Sequence, residues 1–435
     1  ASQIEGAMLH LEADGMVFRG YFDPDVDDKQ WCERRLLARI HRYTLQKLRR
    51  EVEPVSPAAF MRFLFDWHGI GQSELKEGPQ ALQAVIEKLQ GAEAPAVAWE
   101  SDIFPTRLPG YAPEWMDQLC FSGQVAWGRF TPYTGEAGAP SSLRNAPLSI
   151  CLRAQLPLFV GAPVEEGELG EPAQQVLAAL RERGALFHTD LLKQCKLMPI
   201  QVEQGLSELV TKGCISADGF TGLRALLVPA GKRSALKERR ARRSSAMPFS
   251  LEQAGRWWLF DAPPEANKEA ERERIEELTR TLLLRYGVIF RKLVQRERTA
   301  PPWREMLRVL RRMEDRGELR GGRFVSGVWG EQFAFPNAIP LLRAQQKQGQ
   351  AQDVDLDGDA GLVTISAADP LNLTGVITPG ERIASRNSER ILYRNGAPVA
   401  VYDGDELRWL QRVAEAAPAE SAHMIERMRR VVPPR

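Results

Sequence analysis

The sequence predicts an α+β chain of tandem winged-helix modules followed by a small antiparallel β-sheet or barrel. Three observations predict it. Gly184, Pro199 and Gly213 fall 15 and 14 residues apart, and Gly287, Pro302 and Gly317 fall 15 and 15 apart. Each trio punctuates the same order of helix, stop, short strand, helix, turn, helix, stop and glycine-rich hairpin, the order of a helix-turn-helix with a β wing. Beyond residue 360 the apolar period changes from helical to alternating, which marks strands.

Residues 1–22 read as the end of a truncated winged-helix module. "GAMLHLEADGMVFRGYF" supplies a helix, the stop Gly15 and a strand, with no first two helices before them, as in a piece of something longer. Residues 23–131 read as mainly helical with a degenerate winged helix. In "WCERRLLARIHRYTLQKLRREVE", Leu36, Leu37, Ile40, Leu45, Leu48 and Val52 form an inward face, and Arg35, Arg39, Arg42 and Arg49 an outer stripe. "PEWMDQLCFSGQVAWGRF" repeats only a helix, Gly123 and a strand. Residues 132–171, rich in Gly, Pro, Ala and Ser, read as a linker with a strand-like patch, "PLSICLRAQLPLFV".

The first full module spans 172–230, with "CISADGFTGLRALL" as its two-stranded ribbon. A basic linker, 231–247, joins it to the second full module, 248–343, whose ribbon is "ELRGGRFVSGVWGEQFAF". A polar linker, 344–360, leads to residues 361–435, a small sheet or barrel with closing helices. There "GLVTISA", "LNLTGVI" and "RILYRNGAPVAVY" alternate as strands, Asn395-Gly396 signals a hairpin, and "DELRWLQRVAEAA" and "SAHMIERMRRVV" read as helices.

The net charge is +1, so binding to a polyanion would depend on local clusters among the 58 Lys and Arg residues. Two such clusters stand out. The third helix of the later module carries Arg304, Arg308, Arg311 and Arg312 near one side, and Arg323 follows in its wing. Arginine donates bidentately to phosphate and guanine; the alternative use of this stripe is a solvated face. Arg233, Lys237, Arg239, Arg240, Arg242 and Arg243 crowd the linker and suit a phosphate backbone. Trp257, Trp258, Trp303, Trp329 and Phe333 are candidate stacking platforms, although their size favours cores. In "SAADPLNLTG", Asp369 and Asn372 could together activate a water; an Asp-Pro step is also an ordinary turn.

Five scattered cysteines without a C-x-x-C pair indicate reduced thiols in a cytoplasmic protein and exclude a zinc knuckle. No apolar run is long enough to span a membrane. A Walker-type phosphate loop, a nucleophile elbow and H-E-x-x-H are all missing from the sequence. The residues leave three functional classes standing: a nucleic-acid-binding module, a water-activating enzyme, and a protein–protein adaptor whose arginines pair with acids of a neighbouring subunit, which the near-neutral charge allows.

The long strings "WCERRLLARIHRYTLQKLRREVEPVSPAAFMRFLFDW", "YGVIFRKLVQRERTAPPWREMLRVLRRMEDRGELRGGRFVSGVWGEQFAFP" and "SAADPLNLTGVITPG" resemble the C-terminal region of the bacterial large helicase-related protein family, and the likeness covers nearly the whole chain. The resemblance implies a region downstream of a superfamily 2 motor that translocates 3′ to 5′ on DNA, so ATP and Mg²⁺ would belong to that motor and no cofactor to this chain. It implies tandem winged helices with a small β-barrel, self-association into a homo-oligomer, and contact with the N-terminal helicase core. It also implies a DNA partner, single-stranded or in a DNA–RNA hybrid, and a role in repair. Uracil glycosylase activity is associated with the same region. The glutamine-x-glutamine element of related alkyl-base glycosylases has no convincing counterpart: "QAQ" at 350–352 fits by letter only, inside the polar linker.

Overall fold

The computed structural model describes residues 2–23, 25–50, 53–71, 77–131, 143–161, 169–228, 251–261, 267–352 and 361–410, together with Met424 and Met428. The N-terminal unit is α1 (Ser2–Ala13), an antiparallel hairpin of β1 (Val17–Gly20) and β2 (Gln30–Glu33), and α2 (Arg34–Arg50). The inward face expected on α2 is not buried: Leu36 is 42% and Ile40 46% exposed. The side chains of Leu45 and Leu48, and residue Val52, lie outside the described set.

A complete winged helix follows where the sequence suggested a degenerate one. After α3 (Pro57–Trp67), it comprises α4 (Pro79–Leu89), β3 (Ala94–Pro95), a π-helical turn (Trp99–Ile103) running into α5 (Phe104–Arg107), α6 (Pro113–Phe121), β4 (Val125–Gly128) and β5 (Pro147–Leu152). We call it module A. Its sheet order is β3-β5-β4, so the strand-like patch assigned to a linker is the central strand. The upstream half was illegible because β3 is two residues long and the π turn carries Glu100, Ser101 and Asp102 in place of an apolar stripe. A short helix, α7 (Leu156–Phe159), leads onward.

Module B is built from α8 (Glu171–Arg183), β6 (Leu186–Phe187), α9 (His188–Cys195), α10 (Pro199–Lys212), β7 (Ile215–Ala217), α11 (Thr221–Leu227) and β8 (Arg256–Leu259). Gly205 has no Cβ because α8 crosses there: a Cβ would stand 2.9 Å from the Pro172 carbonyl oxygen. The expected ribbon is half wrong. Residues 221–227 are helical, and β7 pairs instead with β8, which is central in the order β6-β8-β7. Residues 256–259 therefore belong to this module, and the basic run interrupts its wing rather than joining two modules.

Module C matches its predicted elements: α12 (Lys268–Tyr286), β9 (Val288–Phe290), α13 (Arg291–Val294), α14 (Trp303–Asp315), and the wing strands β10 (Arg320–Gly322) and β11 (Gln332–Ala334), in the order β10-β11-β9. The stretch expected as a polar linker opens as helix, for α15 runs from Ala338 to Gln352. Its glutamines are good helix formers, and two of them hold α3: Gln345 donates to Asp66 at 2.6 Å, and Gln346 accepts from the Ser56 amide at 3.0 Å.

The late sheet is an open antiparallel meander, not a closed barrel: β12 (Leu362–Ser366), β13 (Arg390–Arg394), β14 (Ala397–Tyr402) and β15 (Leu407–Trp409). Asn395 and Gly396, both at positive φ, make the predicted hairpin turn. "LNLTGVI" is a series of turns, not a strand, and the first expected closing helix begins as β15. Of the second, Met424 and Met428 are helical and buried against the sheet.

Two large cores organise these parts. Trp99, Trp127, Phe220 and Trp257 lie in one that modules A and B share. Phe60 and Phe63 of α3, Phe290 and Phe333 of module C, and Tyr393 of the sheet lie in the other.

Candidate nucleic-acid interface

Helix α14 is sharply two-sided. Met306, Val309, Leu310 and Met313 are buried, and Arg304, Arg308, Arg311 and Arg312 project from the opposite, exposed side. The structure divides these arginines by role. Arg311 pairs with Glu331 of the wing at 2.8 Å, and Arg316 reaches Glu276 at 2.5 Å. Arg304, Arg308, Arg312 and the wing's Arg323 make no side-chain hydrogen bond or ion pair among the described residues. Charged groups held at a surface without partners are available to a ligand's phosphates.

The wing beside them is fixed at its base. The side-chain oxygen of the fully buried Gln332 accepts from the Phe324 and Val325 amides at 2.9 and 2.8 Å, and its NH₂ donates to the Val325 carbonyl at 2.9 Å. Val55 adds a strand-like bridge: its amide donates to Phe324, and its carbonyl accepts from Ser326, both at 2.8 Å. A groove of about 650 Å³ beside the wing is lined by Arg49, Pro54, Arg323 and Glu331, among others. Arg49 itself is committed to the carboxylate of Glu314.

The other sequence-predicted residues fare differently. The linker cluster Arg233, Lys237, Arg239, Arg240, Arg242 and Arg243 lies outside the described residues. Trp257 and Phe333 are core residues, and Trp258 and Trp303 are half-buried. Trp329 is 89% exposed, against the expectation that it fills a core.

Asp369 and Asn372 border a polar cleft of about 630 Å³ where module A, module C and the late sheet meet. The Asp369 carboxylate is largely committed within the protein. Arg107 donates to both of its oxygens, at 2.7 and 2.9 Å, and the Leu371 amide adds a third bond at 2.9 Å. The two side chains are 0% and 1% exposed. The predicted base is thus a structural joint between module A and the late sheet. Asn372 donates to the carbonyls of Ala367 and Ile383, which fixes its amide and leaves its buried oxygen without a partner.

Sequence reasoning missed Glu93, which faces the same cleft with Arg298 at 3.6 Å and the Thr131 hydroxyl donating to it. Burial raises its carboxyl above the ordinary range against the pull of both partners. An isolated acid among alanines in "GAEAPAVAW" carries no signal that could have found it. No His, Cys, Asp and Glu cluster among the described residues could hold a metal ion, and none of the described helices is long and apolar enough to cross a membrane.

Two segments match models described as winged-helix domains of the large helicase-related protein: residues 55–145, the region of module A, and 268–354, module C with α15. A Mycolicibacterium smegmatis protein named "Lhr helicase/ probable uracil glycosylase" is 29% identical over 421 residues, 93% of this chain and 26% of that protein. The Escherichia coli "Lhr helicase/uracil glycosylase" is 27% identical over 410 residues, 86% of this chain and 25% of that protein. The chain therefore spans about a quarter of the length of the curated relatives it matches.

Proposed function

We propose, for a chain that carries two winged-helix domains of the large helicase-related protein, that it binds nucleic acid through module C and serves as the C-terminal region of a DNA helicase. One observation carries this reading: the third helix of a winged helix, the element that enters a groove in this motif, presents Arg304, Arg308 and Arg312 exposed and, among the described residues, unpartnered. Single-stranded DNA or a DNA–RNA hybrid is the partner, held through its phosphates. The helicase named in the relatives is assigned to the parts of those proteins outside the matched quarter, with their ATP and Mg²⁺. The test is binding of a labelled strand between 50 and 200 mM salt. Each lost phosphate contact lowers the log–log slope by roughly 0.7 on a single strand, so Arg308→Ala and Arg312→Ala together should flatten it by about 1.4. A slope that both variants share with wild type would sink the proposal.

Self-association is supported by the apolar side chains that the N-terminal unit exposes, Leu9, Phe18, Leu36 and Ile40 among them. Light scattering on Leu36→Glu and Ile40→Glu tests it; an unchanged mass removes this surface from the assembly.

A second reading, base excision, is favoured by the cleft, where Glu93 is a carboxylate with a raised pKa and the Asn372 oxygen is a fixed, unused acceptor. Alkaline cleavage of a uracil-containing strand tests it, with Glu93→Gln beside Asp369→Asn. Activity lost in Glu93→Gln at unchanged stability supports the cleft, and activity absent from wild type removes the reading.

A further inference from the structure

We propose that Trp329 is a base-stacking platform: its indole, at the tip of module C's wing, stacks on an unpaired base of a strand whose phosphates run along α14. The inference rests on the nucleic-acid reading and adds to it what kind of strand is bound.

The argument begins with burial. Nine of the ten tryptophans are buried or half-buried, and Trp329 alone is exposed, at 89%. Tryptophan is highly buried on average in folded proteins, and the informative case is a large apolar side chain left in water. Packing within the chain does not account for its position.

The second step is rigidity. The tip turns through Gly327 and Gly330, both at positive φ where a side chain would strain the backbone. A few residues away the wing is bound on two sides, by the buried amide of Gln332 and by the bridge to Val55. The indole is thus presented on a short turn above a fixed base, which lowers the entropy lost when a ligand docks.

The third step is charge. Glu331, the acid of the tip, is neutralised by Arg311, and that ion pair ties the wing to the arginine face of α14. Arg323 lies beside Gly330 and Glu331 in the groove wall, exposed and unpartnered among the described residues. An aromatic plane flanked by unpartnered arginines suits a strand with bases turned outward: phosphates meet the cations and a base meets the ring. In a duplex the bases are stacked on one another and offer no free face. The occupant is therefore an unpaired nucleotide.

The experiment uses the full chain, a 20-mer of thymidine and an abasic strand of equal length and charge, compared by fluorescence anisotropy. Wild type should bind the thymidine strand roughly 5- to 100-fold more tightly than the abasic one, the range that loss of one stacked base produces. Trp329→Ala should bind both equally, with its salt slope unchanged because the phosphate contacts remain. Trp329→Phe should recover most of the preference. Equal weakening of Trp329→Ala on both strands would point to a role in the wing's structure and overturn stacking. A salt-dependent wild type that does not distinguish the strands would overturn stacking and leave the phosphate reading intact. Wild type that binds neither strand at low salt would remove both, and would leave Trp329 as a contact for protein.

Discussion

Modules B and C share one framework and present opposite surfaces. Helix α14 carries four arginines in "WREMLRVLRRMED", three of them exposed and without partners among the described residues. The equivalent α10, "PIQVEQGLSELVTK", carries a single basic residue, Lys212, and that one is buried. Its start shows Ile200 instead, with Met198 exposed just before it. Where C extends a short wing into solvent, B turns back through α11, whose Arg224 is buried between Glu100 and Asp117 of module A at 2.7 and 2.5 Å. The same helix-turn-helix serves in one place as a surface for a partner and in the other as a bracket between modules. Fold alone does not decide which; the side chains on the third helix do.

The difference can be broken first at the bracket. Arg224→Ala leaves two carboxylates in a largely buried site without their cation, which should cost about 3–5 kcal/mol in urea unfolding while leaving the DNA salt slope as in wild type. A neutral outcome in urea would mean that module B does not depend on this joint.

Acid should act next. Burial, with Arg107 nearby, holds the His68 imidazole well below its ordinary range, and burial lowers that of His188. Folded, both stay neutral, while the unfolded chain takes up protons as pH falls through about 6.5. Stability is therefore full above that point and declines below it, until the folded imidazoles protonate as well. Urea midpoints at pH 7.5 and 5.5 check this. His68→Gln should flatten the profile more than His188→Gln, since burial lowers His68 further and it donates to the Arg285 carbonyl at 2.7 Å. A profile equally steep in both variants would assign the acid sensitivity elsewhere.

On α14 itself, Arg311→Ala should lower the DNA salt slope less than Arg308→Ala, because Arg311 is already neutralised by Glu331. Equal losses would show that the ion pair opens on binding. The smallest effect belongs to α10: Met198→Ala with Ile200→Ala should shift stability by no more than about 0.5 kcal/mol each and leave DNA affinity unchanged. A loss of affinity there would erase the contrast between the modules.

What the sequence disclosed depended on local punctuation. The helices and wing of module C were legible because Gly287, Pro302 and Gly317 bracket helices with clean apolar stripes, although its expected start at 248 took in β8, which belongs to module B. Module B was half legible: "ISA" paired not with the next apolar run but with "RWWL" some forty residues later, and no local pattern encodes so distant a partner. Module A was hidden by a two-residue strand and a polar π turn. The arginine face of α14 could be read from spacing, but which of its members are neutralised depends on Glu331 and Glu276, placed there by tertiary structure. Asp369 stood out in the sequence, but its ion pair could not be read there, because its partner Arg107 lies 262 residues earlier in the chain.

The position of β8 also sets an order of events during synthesis. Since β8 lies between β6 and β7, module B cannot close its sheet until the chain has been translated through Leu259, well after α8, α9 and α10 have been made. Helix α3 waits longer still, for Phe60 meets Phe290, and Phe65 meets Tyr393, only when those distant residues have been made. Contacts this distant in sequence slow folding, and they leave apolar surface uncovered on a nascent chain. Module C, whose strands and helices lie close together in sequence, can complete itself first and offer α3 and the late sheet a finished surface on which to settle.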